Sequence, residues 1–170
     1  MSEILENSDE LTEDINSEKY LIFSIFDRLY SFPSRHIGEI TMFDTVYPLP
    51  LVPPYVLGVI NRYSTPYALF DIELLLNPQR QNQGDDTFRK KKVLVLKDDI
   101  DRIAFLIDDV SDITDIPEKQ IMDVERNIQE NDLTEAVSAA FDWNDNKVFV
   151  LDIHKILERI TESGAYGGKV

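Results

Sequence analysis

From Lys19 onward the chain carries short apolar blocks with alternating polar positions, interrupted by turn residues, which is the period of strands. Tyr20-Leu21-Ile22-Phe23-Ser24-Ile25-Phe26 and Arg28-Leu29-Tyr30-Ser31-Phe32 predict two strands with Asp27 near their turn. Pro48, Pro50, Pro53 and Pro54 exclude a helix or central strand from that stretch. Val56 to Asn61 and Tyr67 to Phe70 predict further strands, joined by Arg62-Tyr63-Ser64-Thr65-Pro66. Asp71 can then accept the free N–H groups of a short helix running to Leu76. Residues 77–90 are polar and predict a mobile loop. Strands are expected again at Lys92–Lys97 and Arg102–Ile107, with Asp98-Asp99 favouring the turn. Glu135–Trp143 and Lys147–Leu151 predict a hairpin turned by Asn144-Asp145-Asn146, and Asp152 the cap of a helix to about Ile160.

This pattern echoes itself. Phe32, Ile37, Glu39 and Ile40 recur 73 positions later as Phe105, Val110, Asp112 and Ile113. Leu69-Phe70-Asp71-Ile72 recurs 81 positions later as Val150-Leu151-Asp152-Ile153. Each half thus reads strand, strand, strand, hairpin, capped helix, which predicts two small barrels rather than one sandwich.

Charge changes the picture at the N-terminus. Net charge is −15, and residues 1–18 hold Glu3, Glu6, Asp9, Glu10, Glu13, Asp14 and Glu18 with no Lys or Arg. That segment predicts a disordered acidic tail; residues 19–162 form the folded domain and 163–170 a flexible C-terminal tail. The negative field opposes binding to nucleic acid or anionic lipid. Arg89-Lys90-Lys91-Lys92 is a short basic run, expected to be a solvated strand entrance. No apolar run nears the roughly 20 residues that span a bilayer, and the N-terminus lacks signal-peptide features. A cytoplasmic protein is expected, reaching a membrane only through partners.

Catalytic chemistry finds little to work with. There are no cysteines, which excludes disulfides and thiolate chemistry, and only two histidines, His36 and His154. Both read as exposed surface residues outside any His-x-x-x-His pairing. Asp98, Asp99, Asp101, Asp108, Asp109, Asp112 and Asp115 offer hard-cation ligands, but turn and edge-strand chemistry explains them more simply. Asp142 to Asn146 fails as a calcium loop because Lys147 and Ile153 occupy the positions for Gly and Glu. Glycine-rich phosphate loops are missing. No enzyme, cofactor or metal is expected.

The order of these segments resembles the CheW family over residues 19–160. The resemblance is carried by Tyr20–Ile25, Asp27, Tyr30, Ile37-Gly38-Glu39-Ile40, Pro53, Gly58-Val59-Ile60-Asn61 and Asp71-Ile72. In the second half it is carried by Ile107-Asp108-Asp109-Val110-Ser111-Asp112-Ile113 and Lys147-Val148-Phe149-Val150-Leu151-Asp152-Ile153. It implies a mostly β fold of two intertwined SH3-like five-stranded barrels with short helices and a C-terminal helix. It further implies a non-enzymatic adaptor, a monomer when free, that joins chemoreceptor cytoplasmic tips to the regulatory domain of the histidine kinase CheA. A groove between the barrels would take a receptor helix and a barrel end would meet the kinase. The implied receptor- or kinase-binding residues are Ile37, Glu39, Gly58, Asn61, Arg62 and Tyr63.

One departure stands out. The family places an arginine where this chain has Tyr63, and that arginine is the expected partner of the glutamate matching Glu39. Arg62 would reach Glu39 only through a bulged hairpin, because neighbouring strand side chains face opposite ways. Two alternatives remain at this point: a coupler for a non-motility or pilus-type pathway, and a small-molecule-binding β-barrel, which would need a deep apolar pocket.

Overall fold

The computed structural model describes residues 16–77, 91–97, 100–124 and 136–162. In the first half lie β1 (Ser17–Ile25), β2 (Arg28–Pro33), β3 (Ile37–Met42), β4 (Val56–Arg62), β5 (Thr65–Asp71) and α1 (Ile72–Leu76). In the second lie β6 (Lys92–Leu96), β7 (Ile103–Ile107), β8 (Asp109–Pro117), β9 (Met122–Asp123), β10 (Val137–Trp143), β11 (Asn146–Leu151) and α2 (Ile153–Glu162). The predicted strands, hairpins and both capped helices are present. β1 begins at Ser17, inside the segment read as tail, because Ser17 and Glu18 pair with Pro117 and Ile116. Residues 78–90 of the expected loop, the Asp98-Asp99 turn and most of both tails lie outside the described residues.

The strands form two sheets, ordered β3-β6-β7-β5-β4 and β8-β1-β2-β11-β10-β9. The second has a sixth member where five were expected: two-residue β9, which pairs with β10. The echo in the sequence is an echo in the pairing. A shift of 73 carries β2 to β7, β3 to β8 and β1 to β6. A shift of 81 carries β4 to β10 and β5 to β11. Substituting each strand by its counterpart turns the order of the five-stranded sheet into the first five strands of the other. The registers agree as well: Ala68 pairs with Ile103 in parallel, and Phe149 pairs with Tyr30. The bulge between Ile37 and Glu39 matches that between Phe23 and Ile22 opposite Val110 and Asp112. The five-stranded sheet therefore takes three strands from the first half and two from the second, and the six-stranded sheet two from the first and four from the second, so the halves are interlocked.

Interlocking explains the apolar runs. β1, β6 and β7 are covered on both faces, so alternate residues enter different cores. Tyr20 and Ile22 fill the six-stranded barrel with Phe141, Val148 and Val150, while Leu21, Phe23 and Ile25 enter a central core. Val93, Val95, Ala104 and Leu106 fill the other barrel, while Leu94, Leu96, Ile103, Phe105 and Ile107 join the central core. Phe32 and its counterpart Phe105 stack there, with ring centroids 5.9 Å apart.

The helices are started alike. Asp71 accepts N–H groups from Glu73 at 3.0 Å and Leu74 at 3.3 Å; Asp152 accepts from His154 at 2.9 Å and Lys155 at 3.3 Å. Asp71 is buried, and that desolvation pushes its carboxyl above its ordinary value despite the N–H groups and nearby Lys91.

Ser31 is the exception in the core. It is fully buried and its hydroxyl has no partner among the described residues, whereas its counterpart is Ala104. A buried hydroxyl without a partner costs about 1–3 kcal/mol. Ser31→Ala should therefore leave the melting temperature unchanged or raise it, as thermal unfolding would show. A loss near 2 kcal/mol would refute this account of Ser31.

Candidate functional site

The β4–β5 hairpin is closed by two residues, Tyr63 and Ser64, with φ of 51° and 64°. Positive φ at both central positions defines a type I′ turn, which favours Asn, Asp or Gly. The duplicate turn between β10 and β11 follows that preference, with Asn144 and Asp145 at φ of 47° and 61°. Tyr63 takes the same strained backbone and leaves its ring 87% exposed. The fold alone would be better served by Asn.

Arg62 precedes this turn and reaches Glu39 on β3. Its Nε donates to Glu39 Oε2 at 3.3 Å, and Nη2 donates to Oε1. The hydrogen bond to Glu39 raises the guanidinium's pKa, holding its charge more firmly. The Tyr63 ring lies 5.2 Å from the guanidinium carbon, a cation–π stack. Expected rescue of Glu39 thus occurs, but not through a bulged hairpin. The register runs evenly through Ile60–Tyr67, Asn61–Pro66 and Arg62–Thr65, and the bulge of β4 lies between Val56 and Gly58. Tyr63 belongs to the turn, so strand alternation does not govern it. Arg62 is in phase with Ile60, which faces the barrel interior.

β3 and β4 are the two edge strands of their sheet, so the ion pair spans the barrel's seam. Both side chains are about a third exposed, and such a pair contributes about 1 kcal/mol or less. Beside it opens a cleft of about 200 Å³ whose walls include Met42, Asp44, Tyr47, Ile60, Asn61 and Arg62. Among the described residues, seven large hydrophobic side chains are exposed, and five of them lie between positions 42 and 63: Met42, Tyr47, Leu49, Leu51 and Tyr63. Apolar surface gathered in this way marks contact surfaces.

The six sequence-derived residues divide by place. Glu39, Asn61, Arg62 and Tyr63 come together at the seam. Ile37 is half-buried and packs against the central core. Gly58 is buried at φ of 141°, beneath the backbone of Tyr47, which pairs with Val59 in a bridge. A Cβ there would overlap the Tyr47 carbonyl oxygen and stand 2.8 Å from its carbon. Met42 and Tyr47 escaped the sequence reading; their only signal was apolar character next to a proline-rich stretch.

The described members of the basic run, Lys91 and Lys92, both pair with acids. Asp108 pairs with Lys91 at 3.1 Å and accepts the Phe26 N–H; Asp109 pairs with Lys92 at 2.5 Å. Asp112 accepts the N–H of Ile113. Among the described residues no group of three or more His, Asp or Glu is arranged to hold a metal ion. The histidines differ from their expected isolation. His154 is exposed, but His36 is half-buried and the two rings meet edge-on with centroids 6.4 Å apart. No described helix is long and apolar enough to cross a membrane.

Two interlocked barrels with an exposed apolar seam make a scaffold suited to protein contacts. The chain belongs to the CheW-like domain family, whose model matches residues 19–161, and its role is that of a chemotaxis coupling adaptor. It is 27% identical over 142 residues to the chemotaxis protein CheW of Helicobacter pylori, covering 83% of this chain and 82% of that protein. It is 20% identical over 156 residues to the chemotaxis protein CheW of Bacillus subtilis, covering 91% of this chain and 97% of that one. The crystal structure of the scaffolding protein TtCheW from Thermoanaerobacter tengcongensis shares the fold, with a TM-score of 0.71 at 15% identity, covering 84% and 93% of the two chains.

Proposed function

We propose that this chain links the cytoplasmic tip of a chemoreceptor to the regulatory domain of a CheA-type histidine kinase, in the cytoplasm. The seam around Glu39, Asn61, Arg62 and Tyr63 forms one contact face. The observation that carries this reading is Tyr63 itself. In one hairpin turn the chain uses Asn144-Asp145, the residues that backbone geometry favours; in its duplicate it keeps a strained, exposed tyrosine. A residue that strains the fold and faces solvent is explained by what it touches outside. Tyrosine is also among the side chains that most often dominate binding energy at interfaces.

The test is a pair of titrations, against the isolated kinase regulatory domain and a receptor-tip fragment from the same organism. Wild type should bind both saturably. Tyr63→Asn should keep or improve thermal stability, yet weaken at least one interaction by roughly tenfold or more. Unchanged affinities for both partners would remove Tyr63 from the contact. Wild type that binds neither would end the coupling proposal while leaving the fold intact.

A further inference from the structure

We infer that Phe26 marks a second contact face, which holds the coupling partner that Tyr63 does not, by seating its ring in an apolar pocket of that protein. This rests on the coupling reading above and adds the face it lacks, since a protein that links two others needs two. Ile25 pairs with Arg28, so Phe26 and Asp27 alone close the β1–β2 hairpin. Phe26 has φ of 55° and Asp27 is not at positive φ, the pattern of a type II′ turn, whose first central position calls for glycine. A bulky side chain rarely adopts positive φ. Here that position carries a phenylalanine that stays 55% exposed, so the ring contributes only part of its burial to the fold. The position 73 residues on, in the echoed half, is Asp99, an ordinary turn former. Strain and exposure thus coincide at Phe26 as they do at Tyr63.

The strained turn is also held in place. Asp108 accepts the Phe26 N–H at 2.5 Å and donates its own N–H to the Ser24 carbonyl at 3.0 Å. Lys91 Nζ stands 3.1 Å from the same Asp108 carboxylate and 4.0 Å from Glu73 on α1. The ring therefore projects from backbone tied to the corner where β7 of one sheet gives way to β8 of the other. A contact residue fixed before binding loses little conformational freedom on association. Its place is remote from the seam. β5 runs parallel to β7, so Tyr63, ahead of β5, lies off the start of β7, whereas Asp108 follows its end. Phe26 and Tyr63 stand off opposite ends of that strand, which lets two proteins be held at once.

The test adds Phe26→Gly and Phe26→Asn, the residue types that such turns favour, to the titrations with the kinase regulatory domain and the receptor-tip fragment. Both variants of the full chain should melt at or above the wild-type temperature. Each should weaken binding to one partner by roughly tenfold or more, and that partner should be one whose affinity Tyr63→Asn leaves unchanged. Wild type that binds neither partner would end the coupling reading, and this face with it, before any variant is compared. With wild-type binding intact, three results overturn the inference alone. The Phe26 variants bind both partners as wild type does; they weaken a partner that Tyr63→Asn also weakens; or both melt clearly lower, which assigns the ring to the fold.

Discussion

Gly58→Ala is expected to destabilise the fold by about 3 kcal/mol, from left-handed backbone strain together with overpacking. At φ of 141° any Cβ strains the backbone, and here it would strike the Tyr47 carbonyl. Relief requires Tyr47 to retreat, which breaks the two 2.8 Å bonds of the Tyr47–Val59 bridge. The melting temperature should fall by roughly 6–12 °C. The duplicate position is a built-in control, for there the chain carries Ala139 without positive φ. Ala139→Gly should cost only about 0.5–1 kcal/mol, the ordinary entropy of a strand glycine. Urea unfolding of both variants decides the matter. A Gly58→Ala protein within about 1 kcal/mol of wild type would mean that the proline-rich segment yields freely.

Phe105→Ala should cost still more, about 3–5 kcal/mol. The ring is fully buried and packs on Phe32 at 5.9 Å and on Phe70 at 6.3 Å. Its removal leaves a cavity where the two halves meet, and the strands around it are fixed by pairing on both sides. Since Phe32 is its counterpart, Phe32→Ala should cost a similar amount. The rings touch, so the double variant should lose less than the two single costs combined. Denaturant titration of the three variants measures this directly. Strict additivity would show that the two rings do not share one cavity, and a single cost under about 1 kcal/mol would place the stabilising core elsewhere.

Much of this fold was legible because strand period, turn residues and Asp caps are local signals. The echo of Phe32–Ile40 in Phe105–Ile113, and of Leu69–Ile72 in Val150–Ile153, pointed to two similar barrels. What local signals do not carry is which strand pairs with which. The exchange of strands between halves was expected from the family resemblance alone, since apolar alternation in β1 or β7 says nothing about its neighbours. At the seam, Glu39, Arg62 and Tyr63 were legible as a group, but the means of their meeting was misjudged. Strand alternation was applied to Tyr63, a turn residue, and so a bulge was required next to Arg62, where the register runs evenly. Met42 and Tyr47 were missed because a loop's path is set by the backbone it crosses, here Gly58 and Val59. His36 and His154 stand 118 positions apart, and no periodicity relates them.

The interlocked sheets also have a consequence for synthesis. β2 pairs in parallel with β11, and Val148 lies 119 residues beyond Leu29. At a ribosomal rate of about 5–20 residues per second, β2 emerges roughly 6–24 s before its neighbour exists. During that interval the β1–β2 hairpin offers a bare strand edge and the ring of Phe32 to the crowded surroundings of the exit tunnel. The six-stranded barrel cannot close on the nascent chain until the last hairpin has been made, so that part of the newborn protein must be shielded or simply outlast the wait.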